Sequence, residues 1–285
     1  MSGNVVGWDI GGAHLKAAVL DEQGKVLYAT QRACPLWLGI SKLDQAFGEI
    51  LSELPGICAH HAVTMTGELV DLFPGRHEGV RRLLHAVGEN LSQNDVRVFA
   101  GERRFLALDE VGVANLESIA SANWLASVYY CSNRLDSALF VDIGTTTTDI
   151  LILHEQRVRA RGHSDSERLK SGELVYMGIV RTPVMSIAQQ APFDGCWVGL
   201  MAEHFATAAD VYRLCGDLLT HADQMPAADG GAKTPAGSRQ RLARMLGRDA
   251  ESSTPEAWRG LAAYLRERQL FKLQEACFRQ LSRGI

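Results

Sequence analysis

The chain has 285 residues, 46% of them hydrophobic and 22% charged, enough for two ordinary globular domains with sizeable cores. A formal charge of −4 excludes the basic footprint of a nucleic-acid binder. The six cysteines are scattered without a C-x-x-C pair, which argues against zinc knuckles and disulfide frameworks.

The pattern predicts strands over Val5–Asp9 and Leu15–Leu20, joined by Ile10-Gly11-Gly12-Ala13-His14, and a third strand over Lys25–Thr30. A helix is expected over Ser41–Leu54, capped by Ser41 and stopped by Pro55-Gly56. A strand over His61–Thr66, a helix over Gly79–Leu91, a strand over Val96–Ala100 and one long helix over Val113–Cys131 follow. His60-His61 reads as structural, and Asn115 and Asn123 sit on the long helix with a chance to face a ligand.

At Ser137 the pattern starts again. Ala138–Asp142 and Asp149–His154 read as strands around Ile143–Thr148, with a third over Gln156–Arg161. Gly162–Gly178 reads as a polar loop in which His163-Ser164-Asp165-Ser166-Glu167 is a solvated stretch rather than a metal site. A strand over Cys196–Leu200, a helix over Phe205–Leu219 and a mobile loop over Met225–Ser238 are expected. Helices over Gly237–Leu246 and Pro255–Leu281 close the chain, the last capped by Thr254. The arginines of Arg239–Arg248 suit a solvated helix face, and Trp258, Leu261, Leu265 and Leu270–Leu273 a helix core. The early Asp9 argues against a signal peptide, and no apolar run is long enough to span a bilayer, so the expected location is cytoplasmic.

The repeat carries the functional information. A shift of 133 residues lays Asp9-Ile10-Gly11 on Asp142-Ile143-Gly144 and Lys16 on Asp149. Glycine after a buried strand lets a ligand approach the main chain, and successive turn N–H groups form an anion nest. Gly11, Gly12 and Ala13 leave that backbone open in the first copy, with Lys16 as a nearby charge. In the second, Thr145, Thr146 and Thr147 add hydroxyls beside Gly144. Asp9 and Asp142 stand where a carboxylate can hold Mg²⁺ directly or through water. Plain glycine hairpins would explain the glycines but not a carboxylate ending an apolar strand twice.

Asp9–Lys16 and Phe140–Ile150 resemble the first and second phosphate motifs of the actin/sugar-kinase/Hsp70 superfamily. The resemblance implies an α/β fold of two related ribonuclease H-like domains, residues 1–132 and 133–285. It also implies mixed five-stranded sheets and a ligand cleft between domains, with the terminal helix free to pack back on the first. Within that superfamily, Tyr176–Pro183 is similar to the Y-x-G-x-x-R-T-P segment of the hydantoinase/oxoprolinase group. Thr64–Leu69, Ala120–Trp124 and Phe205–Tyr212 extend the likeness to short proteins of the tetrahydromethanopterin-linked one-carbon pathway, methylofuran-biosynthesis enzymes among them. His14 departs from the asparagine usual at that place.

The resemblance implies a transferase that joins an aminomethyl-furan-methyl diphosphate to the phenolic oxygen of glutamyl-tyramine or glutamyl-tyrosine, with Mg²⁺ and release of pyrophosphate. Its partners are therefore small molecules, with neither nucleic acid nor membrane. Asp9 and Asp142 position the metal, Lys16 and the turns hold diphosphate, and Arg181 pairs with diphosphate, a carboxylate or a loop partner. Thr66 lies at the cleft edge, and Glu68 either meets the substrate amine or caps the next segment. Two other readings stay open at this point: an ATP-dependent kinase or oxoprolinase-like enzyme, with Asp229–Lys233 as an adenosine loop, and a non-catalytic nucleotide sensor.

Overall fold

The duplicated segments fold into two hairpins of one register. The computed structural model describes residues 3–56, 58–91, 95–102 and 104–284, and the chain forms two compact units, Met1–Arg134 and Leu135–Ile285.

In the first unit, β1 (Asn4–Ile10), β2 (His14–Leu20) and β3 (Val26–Ala33) make an antiparallel meander. Helix α1 (Ser41–Leu51) leads to β4 (Cys58–Met65), and α2 (Arg76–Asn90) to β5 (Asp95–Phe99); both strands join the sheet in parallel. β6 (Phe105–Ala107) completes a mixed sheet of order β3-β2-β1-β4-β5-β6. The crossover helices permit the parallel pairings, since a hairpin cannot make them. Strand alternation sends Trp8, Ile10, Leu15, Val63 and Met65 into one core with Phe47 and Leu83 of α1 and α2. Asp9, Lys16 and Thr64 consequently belong to the opposite face.

Trp8 also fixes His61. The indole Nε1–H donates to His61 Nδ1 at 2.8 Å, and His61 Nε2 lies 3.0 Å from the Cys58 carbonyl. The ring is therefore neutral with its proton on Nε2, and burial pulls its pKa below the ordinary value. His61 is a structural residue, as expected.

Two helix expectations are corrected. Ser41 is the first helical residue of α1, with Ile40 at the cap position and no side-chain cap. The long helix over Val113–Cys131 is broken into a 3-10 turn at Val113–Asn115, α3 (Leu116–Ile119) and α4 (Asn123–Ser132). Ser121 makes the break: it is buried and takes a left-handed backbone, φ +51°.

The second unit begins with β7 (Ala138–Ile143), β8 (Thr148–His154) and the short β9 (Arg157–Val158). The segment expected as a loop contains α5 (Asp165–Ser171) and β10 (Leu174–Val175). Ser164 caps α5 and accepts from the Glu167 N–H, while Glu167 accepts from the Ser164 N–H, so the supposed solvated stretch is a capping box. The sheet runs β10-β8-β7 with β9 on β8, and every pairing is antiparallel. Among the described residues no crossover helix delivers a strand beside β7, so the mixed pairing of the first unit, expected in both, is not repeated here.

After α6 (Val184–Ile187), β11 (Gln190–Phe193) and β12 (Cys196–Gly199) form a separate two-stranded antiparallel sheet. The helices α7 (Ala208–Cys215), α8 (Pro235–Met245) and α9 (Pro255–Leu281) complete the unit. α9 is capped by Thr254, packs on α7, α8, α6, β11 and β8 of its own unit, and buries Trp258, Leu261, Leu265 and Leu273. The segment expected as a mobile loop is tied down. Lys233 donates to the Asp223 and Met225 carbonyls, and Arg241 bonds Asp229 and the Ala232 carbonyl. No helix among the described residues is long and apolar enough to cross a membrane.

Candidate functional site

Both copies of the repeated motif close their turns in the same way. The Gly11 N–H donates to the His14 carbonyl at 2.9 Å, and the Gly144 N–H donates to the Thr147 carbonyl at 2.9 Å. These first N–H groups are thus consumed by the turns. Among the described residues, the N–H groups of Gly12, Ala13, Thr145 and Thr146 donate to no protein acceptor, which leaves them for an anion. Gly11 and Gly144, expected among the phosphate-binding residues, spend their own N–H groups on shaping the loop.

In the first unit, Asp9 pairs across the ladder with Lys16 on β2 and with Thr64 on β4. Lys16 Nζ donates to Asp9 Oδ2 at 2.9 Å, and Asn123 Nδ2 approaches Asp9 Oδ1 at 3.4 Å. The Thr64 hydroxyl is shielded and has no hydrogen-bond partner among the described residues. Thr66 continues the β1–β4 pairing by donating its N–H to the Ile10 carbonyl at 2.9 Å. Glu68 is brought near but turned inward: its side chain is buried and accepts from Ser121 Oγ at 2.6 Å. His14, the departure from the usual motif, is buried.

In the second unit, Asp142 is exposed at the end of β7 and its cross-strand partner is Asp149. The charge that Lys16 supplies in the first unit is absent at this register. Its place is taken from behind by Arg168 of α5, which is buried and donates to Asp149 Oδ1. Burial pushes the Asp149 pKa up, the Arg168 guanidinium pulls it down, and Asp142 and Asp165 push it up again, with a net rise. Sequence reasoning missed Arg168. The charge reversal between Lys16 and Asp149 was the signal that a cation had to come from elsewhere.

The Tyr176–Pro183 segment clamps the second turn. The Ile179 N–H donates to the Gly144 carbonyl, and the Val180 and Arg181 N–H groups to the Thr145 carbonyl. A Cβ on Gly178 would lie 2.5 Å from Gly144 O, Thr145 C and Thr146 N, so only glycine permits this approach. The Thr182 hydroxyl joins the Gly178 N–H and carbonyl at 2.7 and 2.8 Å. The Phe205–Tyr212 segment is laced on next, through Ala208 N–H to Thr182 O and Ala209 N–H to Val180 O. Arg181 holds an exposed side chain beside the turn that its own N–H fixes.

The residues predicted for one site therefore gather in two sets. Asp9, Gly11, Gly12, Ala13, Lys16, Thr66 and inward Glu68 lie in the first unit; Asp142, Gly144, Thr145, Thr146, Thr147 and Arg181 lie in the second. Among the described residues no group of three or more His, Cys, Asp or Glu side chains could by itself hold a metal. The carboxylates of Asp9 and Asp142 and the orphaned Thr64 hydroxyl are nonetheless hard oxygen donors. Taken unit by unit, Asp9 with Thr64 in the first and Asp142 in the second are donors of the type that magnesium accepts beside its water.

A family model described as hydantoinase/oxoprolinase matches residues 60–262. The chain is 29% identical, over 87% of its length and 72% of the relative's, to a (γ-glutamylaminoethyl)phenoxymethyl-furanyl methanamine synthase of Methanocaldococcus jannaschii. A protein of the same name from Methanococcus vannielii is 32% identical over 41% of this chain and 51% of its own. Among solved structures, a ROK family glucokinase from Streptomyces griseus, in complex with glucose and AMPPNP, is 16% identical. That match covers 85% of this chain and 76% of the other, with a TM-score of 0.37.

Proposed function

The chain belongs to the hydantoinase/oxoprolinase family, and from that premise we propose that it is a transferase of methylofuran biosynthesis. It joins an aminomethyl-furan-methyl diphosphate to the phenolic oxygen of glutamyl-tyramine or glutamyl-tyrosine. The bond between the exocyclic carbon and the diphosphate oxygen breaks, a carbon–oxygen bond to the phenol forms, and pyrophosphate departs. The phenolic proton, with a pKa near 10 in water, goes to a carboxylate. Asp9 is our assignment for it, its oxygens oriented by Lys16 and Asn123.

One observation carries the reading. The duplicated turns close identically and leave successive N–H groups at each strand-end carboxylate. Such donors stabilise a leaving diphosphate where its charge develops. Lys16 adds a positive charge in the first unit, and Arg181, in the second, is the group suited to pair bidentately with phosphate or carboxylate. A magnesium ion held at a strand-end carboxylate, Asp9 in the first unit or Asp142 in the second, would supply further neutralisation of that charge. The furan ring delocalises positive charge from the exocyclic carbon, so bond breaking can run ahead of attack.

The similarity to the named synthases supports the identity of the ether. The kinase reading is favoured less, because the candidate adenosine loop Asp229–Lys233 spends its charged groups on Arg241, Arg244 and the Asp223 and Met225 carbonyls. Thermal unfolding with Mg²⁺ and pyrophosphate, set against Mg²⁺ and ATP, tests the choice. Stabilisation by pyrophosphate is expected. Stabilisation by ATP alone would count against the synthase.

A further inference from the structure

Two sequence segments that resemble the family, Thr64–Leu69 and Ala120–Trp124, meet at one hydrogen bond. Ser121 Oγ donates to Glu68 Oε1 at 2.6 Å, across 53 residues of chain, with both side chains buried. We propose that Glu68 and Ser121 are positioning residues, whose contact sets the Asn123 side chain against Asp9. The functional part of this proposal rests on Asp9 acting in the reaction as assigned above.

Glu68 is seated from below. A Cβ on Gly79 of α2 would come within 2.3 Å of the Glu68 carbonyl oxygen and 2.8 Å of its Cα, so the helix backbone presses on that residue. From there the carboxylate reaches Ser121, which holds φ +51°. A left-handed serine costs free energy and persists where its surroundings over-determine it. The bond to Glu68 is such a constraint. It interrupts an otherwise helical apolar pattern and starts α4 at Asn123.

The first residue of α4 is then fixed in its own right. Asn123 Oδ1 accepts from the Trp124 N–H at 2.7 Å, so the amide must turn Nδ2 outward, toward Asp9 Oδ1 at 3.4 Å. Lys16 holds the other Asp9 oxygen. Without the break at Ser121, α3 would run on and Asn123 would have no free helix end on which to make this arrangement. Glu68 thereby acquires a role that needs no contact with substrate.

The test is a double-mutant cycle read in two ways: steady-state ether formation, and hydrogen exchange of the Trp124 amide in the ligand-free protein. Ser121→Gly removes the hydroxyl while relieving the backbone, and Ser121→Ala serves as the second variant. Each is expected to speed Trp124 exchange and to lower kcat by about tenfold with KM nearly unchanged. Ser121→Gly with Asn123→Ala is expected to lose no more than Asn123→Ala alone, within about twofold, because one residue acts through the other. Glu68→Gln keeps an acceptor for Ser121 and should retain most activity and the original KM.

Multiplicative losses in the double variant, or wild-type Trp124 exchange in both serine variants, would overturn the proposal. So would a raised KM in Glu68→Gln, which is the sign of direct contact with the substrate amine. If the wild type makes no ether at all, the functional reading fails. The exchange data still decide whether Ser121 sets Asn123.

Discussion

Asp142 stands directly opposite Asp149 on the β7–β8 ladder, at the register that Asp9 and Lys16 occupy on β1–β2. Like charges opposite one another on a sheet are destabilising. The chain tolerates them because Arg168 reaches Asp149 from α5. Replacing Arg168 by leucine leaves a shielded carboxylate beside a second one. The expected cost is about 3–5 kcal/mol, the range for breaking one side of a buried pair. Adding Asp149→Asn should recover at least part of it. Urea unfolding of the single and double variants measures both.

Lys16 presents the opposite case. Its side chain is 52% exposed, and an ion pair of that kind contributes at most about 1 kcal/mol to stability. Lys16→Met should therefore unfold near the wild-type midpoint while binding Mg²⁺–pyrophosphate at least about tenfold more weakly. Calorimetric titration beside a thermal melt separates the effects. An unchanged affinity would remove Lys16 from the diphosphate site.

Gly178→Ala tests the clamp on the second turn. Its Cβ meets backbone atoms, which cannot rotate away, so the turn must move. A destabilisation of about 1–3 kcal/mol is expected from overpacking. Pyrophosphate affinity should fall as well, because the Thr145 and Thr146 N–H groups shift with the turn. A variant that melts normally and binds pyrophosphate normally would show that the clamp does not shape the site.

His61 sets a pH dependence. Burial lowers its pKa from 6.5 while the folded ring is neutral, so the unfolded chain takes up the proton first as pH falls. The stabilisation is complete above about pH 6.5 and is lost as pH drops from there toward the folded value, by at most about 1.4 kcal/mol per unit. Urea midpoints of wild type and His61→Leu across this range should differ in slope, the wild type being steeper. Equal slopes would contradict the assignment of the neutral ring.

The duplication was legible because an Asp ending an apolar strand is chemically conspicuous, and its register follows from counting residues. The break at Ser121 was not. Apolar spacing runs through Ala120–Ala122, and the contact that stops the helix comes from Glu68, far away in sequence. α5 was hidden by its polar composition, although Ser164 and Glu167 stood at the spacing of a capping box. The Met225–Ser238 segment has the composition of a loop. Only the fold shows that Arg241 and Lys233 hold it.

The ether bond itself can be sought directly. The full chain is supplied with Mg²⁺, a synthetic aminomethyl-furan-methyl diphosphate, and glutamyl-tyramine or glutamyl-tyrosine, without ATP. Mass spectrometry should find the aryl ether, with one pyrophosphate released per ether formed. Asp9→Asn and Asp142→Asn should each reduce it by about a hundredfold or more, the range for a lost group at a developing charge. No ether from either phenol, together with ATP hydrolysis by the same preparation, would contradict the account.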